Sequence, residues 1–330
     1  MKPPTILITR KIPATGPDLL RKEGYTVNVW PENRAMTPDE LINEAKKADA
    51  LLCLSTDAID ARFLNACRHL EIISQFAAGY DNIDLKTAAS LGIPIGNAPG
   101  AMSESTADIA FLLMIAASRK MLFHHKRILN GQWGEFDPEF GLGIELKNKT
   151  LGIFGLGKIG TAMAQRCKGA YNMDVIYHNR KRNPEAEAAL GAKWVDFDTL
   201  LEQSDALSVH SVLSPETRGI FNRQAFEKMK STAIFINTSR GALHNEPDLI
   251  NALNTGKIWG AGLDVTNPEP MHPESPLLNM ENVAVLPHIG SATVEARNEM
   301  SRMAAVNITE FYKGNPVPFL VMVREGGERV

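Results

Sequence analysis

Residues 150–170 read TLGIFGLGKIGTAMAQRCKGA, and how this stretch folds decides the architecture of the chain. An apolar run, Thr150 to Phe154, leads into G-x-G-x-x-G at Gly155 to Gly160, and a series of helix formers follows. Strand before and helix after are the context in which this glycine pattern binds a dinucleotide. Gly155 permits the tight turn, Gly157 lets a diphosphate approach the backbone, and Gly160 lets the helix sit close on the strand. Leu156, Lys158 and Ile159 complete the turn, whose amides lie at the positive end of the helix, where an anion is stabilised.

About 20 residues further on, such a fold places a carboxylate that accepts hydrogen bonds from the adenosine ribose. Here VIYHNRKRNP (175–184) puts Asn179 at that point and follows it with Arg180, Lys181 and Arg182. Asn179 removes the charge that would repel a 2′-phosphate and can still contact a ribose oxygen. Arg180 offers a planar, charge-assisted donor fork for phosphate, with Lys181 or Arg182 in support. A basic run is often just a solvated loop. Charge removed and charge added at one site favour NADP(H), with NAD(H) still admitted.

Working outward, short apolar runs alternate with helical stretches: TILIT, ALLCL, EIISQF, then TLGIFG, DVIYH, ALSVHSV, AIFIN, GAGLDV and VAVLP. This alternation predicts α/β units with parallel sheets. A break at GIPIGNAPGAMSEST (92–106) precedes a long helix running to about Leu129, apolar nearly all round and expected between domains or subunits. A second break, LPHIGSAT (286–293), precedes a helix with Ala296, Met300, Met303, Ala304, Ile308 and Phe311 on one face. If that helix packs back on the N-terminal region, the first domain is discontinuous. The polar REGGERV at 324–330 is expected to fray.

At 330 residues, 44% hydrophobic and 22% charged, the chain suits two globular domains. A net charge of −3 supplies no global field to recruit nucleic acid or anionic lipid. Cys53, Cys67 and Cys167 lie apart without CxxC spacing and are expected as reduced, buried thiols rather than metal ligands. The apolar stretch before Arg10 is too short for a signal peptide. The longest apolar run, IAFLLMIAA (109–117), is about half of a membrane-spanning helix. A cytoplasmic protein is expected.

Dinucleotide binding names no reaction, and the eight histidines differ in context. His124 and His125 beside Lys126 and Arg127 predict a solvated helix face; His69 and His272 lie in polar surroundings, His178 at the cofactor strand end, and His244 in a structural loop. His210 ends a strand without a charged neighbour. His288 follows VAVLP on a turn stiffened by Pro287, Gly290 and Ser291, a suitable mount for an acid or base. Arg240, after AIFINTS, and Asp264 and Glu269, after GAGL, sit at other strand ends of the same edge. Arg240 can clamp an anionic substrate and polarise its carbonyl, His288 can shuttle the proton, and Glu269 can orient it.

In AAGYDNID (77–84), GLGKIG, INTSRGAL (236–243), AGLDVTNPEP (261–270) and PHIGSAT (287–293), the chain resembles the D-isomer-specific 2-hydroxyacid dehydrogenases in order and spacing as well as content. Within that family the likeness is nearest to the glyoxylate/hydroxypyruvate reductases. The resemblance implies a substrate domain of residues 1–99 and 288–330, flavodoxin-like, around a Rossmann domain of 100–287, and a homodimer built on the long helix. It implies that Arg240 binds the substrate carboxylate and keto oxygen and that His288 protonates that oxygen as hydride arrives. Glu269 would hydrogen-bond His288 and favour its protonated form. Ala78 and Gly79 would hold the carboxylate through their backbone, and Asp264 would face the nicotinamide carboxamide, with Thr238 and Gly290 also beside the cofactor. QWGEFDPEF (132–140) is similar to a segment that reaches a neighbouring subunit's site, where Trp133 or Phe140 would limit substrate size. Asp108 and Val212 depart from the family pattern, which has Glu and Pro there. The activity implied is reduction of glyoxylate or hydroxypyruvate to glycolate or D-glycerate with NADPH. The alternatives are oxidation of 3-phosphoglycerate or another D-2-hydroxyacid and, from another class, a dinucleotide-sensing corepressor.

Overall fold

The computed structural model describes residues 2–321, so the expectation for REGGERV lies outside the described residues. Within them, residues 2–102 with 292–321 make one compact unit and residues 103–291 the other.

The first unit opens with β1 (Thr5–Ile8), α1 (Thr15–Lys22), β2 (Thr26–Val29), α2 (Pro38–Ala45) and β3 (Ala50–Cys53). It continues through α3 (Ala61–Ala66), β4 (Ile72–Gln75), α4 (Leu85–Ser90) and β5 (Ile95–Gly96). The parallel sheet has the order β2-β1-β3-β4-β5, the flavodoxin-like arrangement. The β1, β3 and β4 strands are buried throughout, as continuous apolar runs in a sheet covered on both faces must be. The helices begin where a side chain can satisfy an otherwise orphaned amide: Thr37 forms a capping box with Glu40, and Asp60 and Asp84 accept from Phe63 and Thr87.

The second unit begins with α5 (Ser103–Ser118) and α6 (Met121–Leu129). The single helix expected over this span is thus interrupted: Lys120 takes the left-handed conformation at φ 52°, which no α-helix continues through. The apolarity of α5 is used inside this unit, where Ala110, Leu113, Met114 and Ala117 join a core cluster with Ile153, Met163 and Ile234. Leu112 alone among its large aliphatic residues stays 42% exposed. His124 also departs from the solvated face, since its ring packs edge-on against Phe140.

The unit continues with β6 (Thr150–Phe154), α7 (Lys158–Tyr171), β7 (Asp174–His178), α8 (Pro184–Leu190), β8 (Lys193–Trp194), α9 (Phe197–Gln203) and β9 (Ala206–Val209). It closes with α10 (Arg223–Lys228), β10 (Ile234–Asn237), α11 (Glu246–Asn254), β11 (Gly260–Leu263) and β12 (Val283–Val285). The strands form a parallel sheet in the order β12-β11-β10-β9-β6-β7-β8, a Rossmann arrangement whose order reverses between β6 and β9. Successive side chains feed opposite faces: Leu151 and Ile153 enter one core, Phe154 and Leu207 the other. Register aligns Phe154 with Val209, Val209 with Asn237, Asn237 with Leu263, and Leu263 with Val285. The loops after five strands therefore emerge along one carboxyl edge, where open α/β sheets bind ligands.

The chain then returns to the first unit with α12 (Val294–Tyr312). Its Ala296, Met300, Met303, Ala304 and Ile308 are buried, and Gly16 of α1 donates its amide to Ser301 Oγ at 3.0 Å. A Cβ on Gly16 would lie 2.4 Å from the Ser301 carbonyl, so this close approach requires glycine.

Candidate active site

The glycine turn after β6 is built as the sequence predicts. Gly155 has φ 102°, and a Cβ there would meet the His210 backbone at 2.8 Å. A Cβ on Gly160 would meet the Gly155 carbonyl at 2.5 Å, whereas one on Gly157 would meet nothing within 4 Å. Two glycines are thus demanded by the protein's own packing, and the third leaves open space where a ligand group fits. Gly157 caps the 14-residue α7, whose first-turn amides face that space with a positive partial charge. The turn, with Lys158 and Ile159 opening the helix, fits the diphosphate of a dinucleotide.

Asn179 lies at the end of β7, partly exposed. Its Oδ1 accepts the Leu156 amide at 2.7 Å, and Asn183 Nδ2 donates to the Leu156 carbonyl at 2.9 Å. The two asparagines brace the glycine turn from β7, because buried backbone groups must find partners. Asn183 is also the N-cap of α8, and in the sequence its position before Pro184 signals only a cap. Trp194 Nε1 fixes the Asn179 carbonyl at 3.0 Å. Arg182, expected in support of Arg180, is instead paired with Glu187 at 2.6 Å. That pairing, joined by a hydrogen bond from Tyr177, holds the Glu187 carboxyl below its ordinary pKa. Arg180 and Lys181 are exposed.

Arg240, Glu269 and His288 all belong to the second unit. Arg240 follows β10 in extended conformation (φ −141°, ψ 135°) and leads into a 3₁₀ turn, Gly241–Leu243. Gly241 packs on the loop after β11 so tightly that a Cβ would lie 1.9 Å from the Thr266 carbonyl. Beneath Arg240, the buried Asn237 donates to the Arg240 carbonyl at 2.9 Å and accepts the Ser239 amide at 3.0 Å. Asn237 Nδ2 also lies 3.0 Å from Nδ1 of His244, whose burial lowers its pKa to about 4 and keeps the ring neutral. His244 is structural, as its loop context predicts. Thr238 is buried, with its hydroxyl 3.5 Å from Nδ1 of His210, while Ser208 Oγ lies 2.8 Å from Nε2. Desolvation brings His210 down to about 3, leaving it neutral.

His288 is held with φ 53°, a backbone conformation costly for a non-glycine residue and common at functional sites. Its Nδ1 lies 2.5 Å from Glu269 Oε1, and both side chains remain about two-fifths exposed, at 40% and 41%. Burial alone would raise the Glu269 carboxyl; the hydrogen bond from His288 and the charges of His288 and Arg240 outweigh it and lower the pKa. With Nδ1 engaged by a carboxylate, Nε2 is left to exchange a proton.

Asp264 does not present an open carboxylate. It is 1% exposed, accepts the Ile289 amide at 2.8 Å and the Gly290 amide at 2.7 Å, and gives its own carbonyl to the His288 amide at 2.9 Å. Burial raises its pKa despite these bonds. Asp264 therefore braces the 288–290 turn rather than facing outward. Among the described residues no group of three His, Cys, Asp or Glu could hold a metal, and no helix is long and apolar enough to cross a membrane.

Residues 111–290 match the model of the D-isomer specific 2-hydroxyacid dehydrogenase NAD binding domain. The chain is 43% identical over 322 residues to a glyoxylate reductase of Thermococcus litoralis, covering 96% of each. A glyoxylate reductase of Korarchaeum cryptofilum is 40% identical over 96% of each chain. Among solved structures, a glyoxylate reductase from Paecilomyes thermophila superposes with a TM-score of 0.87 at 34% identity, over 97% of this chain and 99% of that one. An NADPH-dependent glyoxylate/hydroxypyruvate reductase from Sinorhizobium meliloti, in complex with NADP and malonate, gives 0.84 at 28% identity over 100% and 99%. With its Rossmann unit, its glycine turn and whole-length relatives of one kind, the chain belongs to the D-isomer specific 2-hydroxyacid dehydrogenase family.

Proposed function

We propose that the protein reduces small 2-oxo acids, glyoxylate and hydroxypyruvate foremost, to the 2-hydroxy acids glycolate and D-glycerate, drawing on NADPH. The observation that carries this reading is the Arg240, Glu269, His288 set on one sheet edge, with Nδ1 of His288 engaged by Glu269 at 2.5 Å.

Gly155 to Gly160 and the first turn of α7 would hold the dinucleotide diphosphate, which when bound supplies the hydride. Arg240 clamps the substrate carboxylate and draws electron density onto the keto oxygen. His288 Nε2 gives its proton to the oxygen as negative charge develops there. Glu269, kept ionised by its lowered pKa, accepts from Nδ1 and so holds the ring with Nε2 presented to substrate.

Preference for the 2′-phosphorylated cofactor rests on the uncharged Asn179 and on Arg180, with Lys181 in support. Arg182, committed to Glu187, takes no part. The exposed Leu112, Trp133 and Phe136, at 42%, 80% and 91%, are apolar surface that a second copy would cover, in keeping with a homodimer. Steady-state rates for glyoxylate, hydroxypyruvate, pyruvate and 3-phosphohydroxypyruvate, each with NADPH and NADH, test the reading. The first two with NADPH are expected to give the highest kcat/KM; preference for the phosphorylated acid or for NADH contradicts it.

A further inference from the structure

The interior strand β10 ends in Asn237, a polar residue that is 0% exposed, and its side chain closes the turn that carries Arg240. Oδ1 accepts the Ser239 amide at 3.0 Å, and Nδ2 donates to the Arg240 carbonyl at 2.9 Å. These two backbone groups fix the sense of the side-chain amide, because a flipped amide would set donor against donor and acceptor against acceptor. Ser239 is held a second time, by its hydroxyl on the Val209 carbonyl of the neighbouring β9 at 2.8 Å. Nη1 of Arg240 returns to the Ser239 carbonyl at 2.8 Å, so the guanidinium is tied to the same turn that Asn237 closes.

The remaining N–H of Asn237 faces Nδ1 of His244 at 3.0 Å. With Nδ2 a donor, Nδ1 must be the bare nitrogen of the neutral ring, and the proton sits on Nε2. The ring is fixed in place: it packs edge-on against Phe235 of β10, and the His244 backbone is bridged to Phe221. Desolvation lowers its pKa to about 4, so Nδ1 stays an acceptor at neutral pH. Nε2 of His244 is buried without a hydrogen-bond partner among the described residues. An unmatched buried N–H is destabilising where an apolar side chain of the same shape would not be. What the imidazole supplies that an apolar side chain cannot is an acceptor for Asn237.

We propose that Asn237 and His244 are positioning residues for Arg240: His244 satisfies the second N–H of Asn237, Asn237 closes the 237–240 turn, and the turn sets where the guanidinium is presented. The proposal rests on the reading that Arg240 binds the substrate. Neither Asn237 nor His244 touches substrate in it; both act through the arginine, and all three residues belong to the second unit.

The test is a double-mutant cycle on the full-length enzyme, with glyoxylate and NADPH as reactants and oxamate as a non-reacting carboxylate probe. His244→Leu fills the space but offers no acceptor. It should lower kcat/KM for glyoxylate about tenfold or more and raise the oxamate Kd in proportion, with the NADPH Kd unchanged. His244→Asn, whose Oδ1 can stand where Nδ1 stands, should recover most of that loss. In an Arg240→Ala background His244→Leu should cause no further fall, because the group it positions is gone. An equal fold-loss in both backgrounds would overturn the proposal, as would lower thermal stability with kcat/KM and oxamate Kd unchanged. Were Arg240→Ala itself to keep the parent kcat/KM, the reading of Arg240 as the substrate clamp would fail, and the proposal with it. Should His244→Leu not fold, Asn237→Ser enters the same cycle with the same expectation.

Discussion

Nδ1 of His288 and Oε1 of Glu269 lie 2.5 Å apart, on a turn where His288 carries φ 53°. The turn is held in this conformation by Asp264, which grips the amides on either side of Ile289's carbonyl. Glu269→Gln keeps a hydrogen-bonding group but removes the charge. It should lower kcat by about 10²-fold, the lower end of what general acid–base catalysis contributes, with the NADPH Kd unchanged. The pair also has a pH signature. The folded Glu269 pKa is depressed below its ordinary 4.5, so its stabilising contribution is fully present above that value and is lost as pH falls through the lowered one. With both groups partly exposed the effect is under about 1 kcal/mol. Melting curves from pH 3 to 6, on the order of the carboxylate range, should show a shallower acid loss for Glu269→Gln; identical slopes would argue against the pair.

Arg180→Ala should weaken NADPH by about ten- to a hundredfold, the worth of a charge-assisted hydrogen bond, and NADH by far less. Asn179→Asp is the complementary change. An aspartate can still accept the Leu156 amide, so the turn survives while a negative charge returns beside the 2′-phosphate. Cofactor dissociation constants for both variants decide the point, and equal losses for the two cofactors would return Arg180 and Lys181 to a solvated loop.

The glycines of the turn should separate. Gly157→Ala has room in the fold and should alter thermal stability little, yet reduce binding of either cofactor at least about tenfold by intruding where the diphosphate approaches. Gly155→Ala, at φ 102° and 2.8 Å from the His210 backbone, should instead unfold at distinctly lower temperature. Calorimetry with and without NADPH distinguishes the two.

Asp264→Asn replaces an acceptor of two amides by a group that sets its own NH₂ against one of them. About 1–3 kcal/mol of stability should be lost in urea unfolding, with a fall in kcat as the His288 turn relaxes. Unchanged stability would mean that the turn does not depend on Asp264.

The fold was legible wherever residue type and spacing carry a backbone requirement. Gly155, Gly157 and Gly160 named their turn, and buried runs such as AIFIN and GAGLDV named central strands whose shared register makes Arg240, Glu269 and His288 neighbours along one edge. The two-residue edge strands Ile95–Gly96 and Lys193–Trp194 were too short to show a period. The break at Lys120 was hidden because neither glycine nor proline marks it. Side-chain partnerships were the least visible. Arg182 reads as a phosphate ligand until the backbone brings Glu187 beside it, and nothing in the sequence pairs Asn179 with the Leu156 amide. Asn183 and Asn237 are ordinary polar residues in sequence; only the tertiary fold supplies the carbonyls they hold.

The central claim is that His288 delivers the proton that completes reduction of a 2-oxo acid. Turnover of glyoxylate by NADPH, followed for the unaltered enzyme and for His288→Ala alongside the NADPH Kd of each, tests it most directly. The account predicts turnover lowered by about 10²–10⁴-fold with cofactor affinity unchanged. Near-normal turnover in His288→Ala would contradict it.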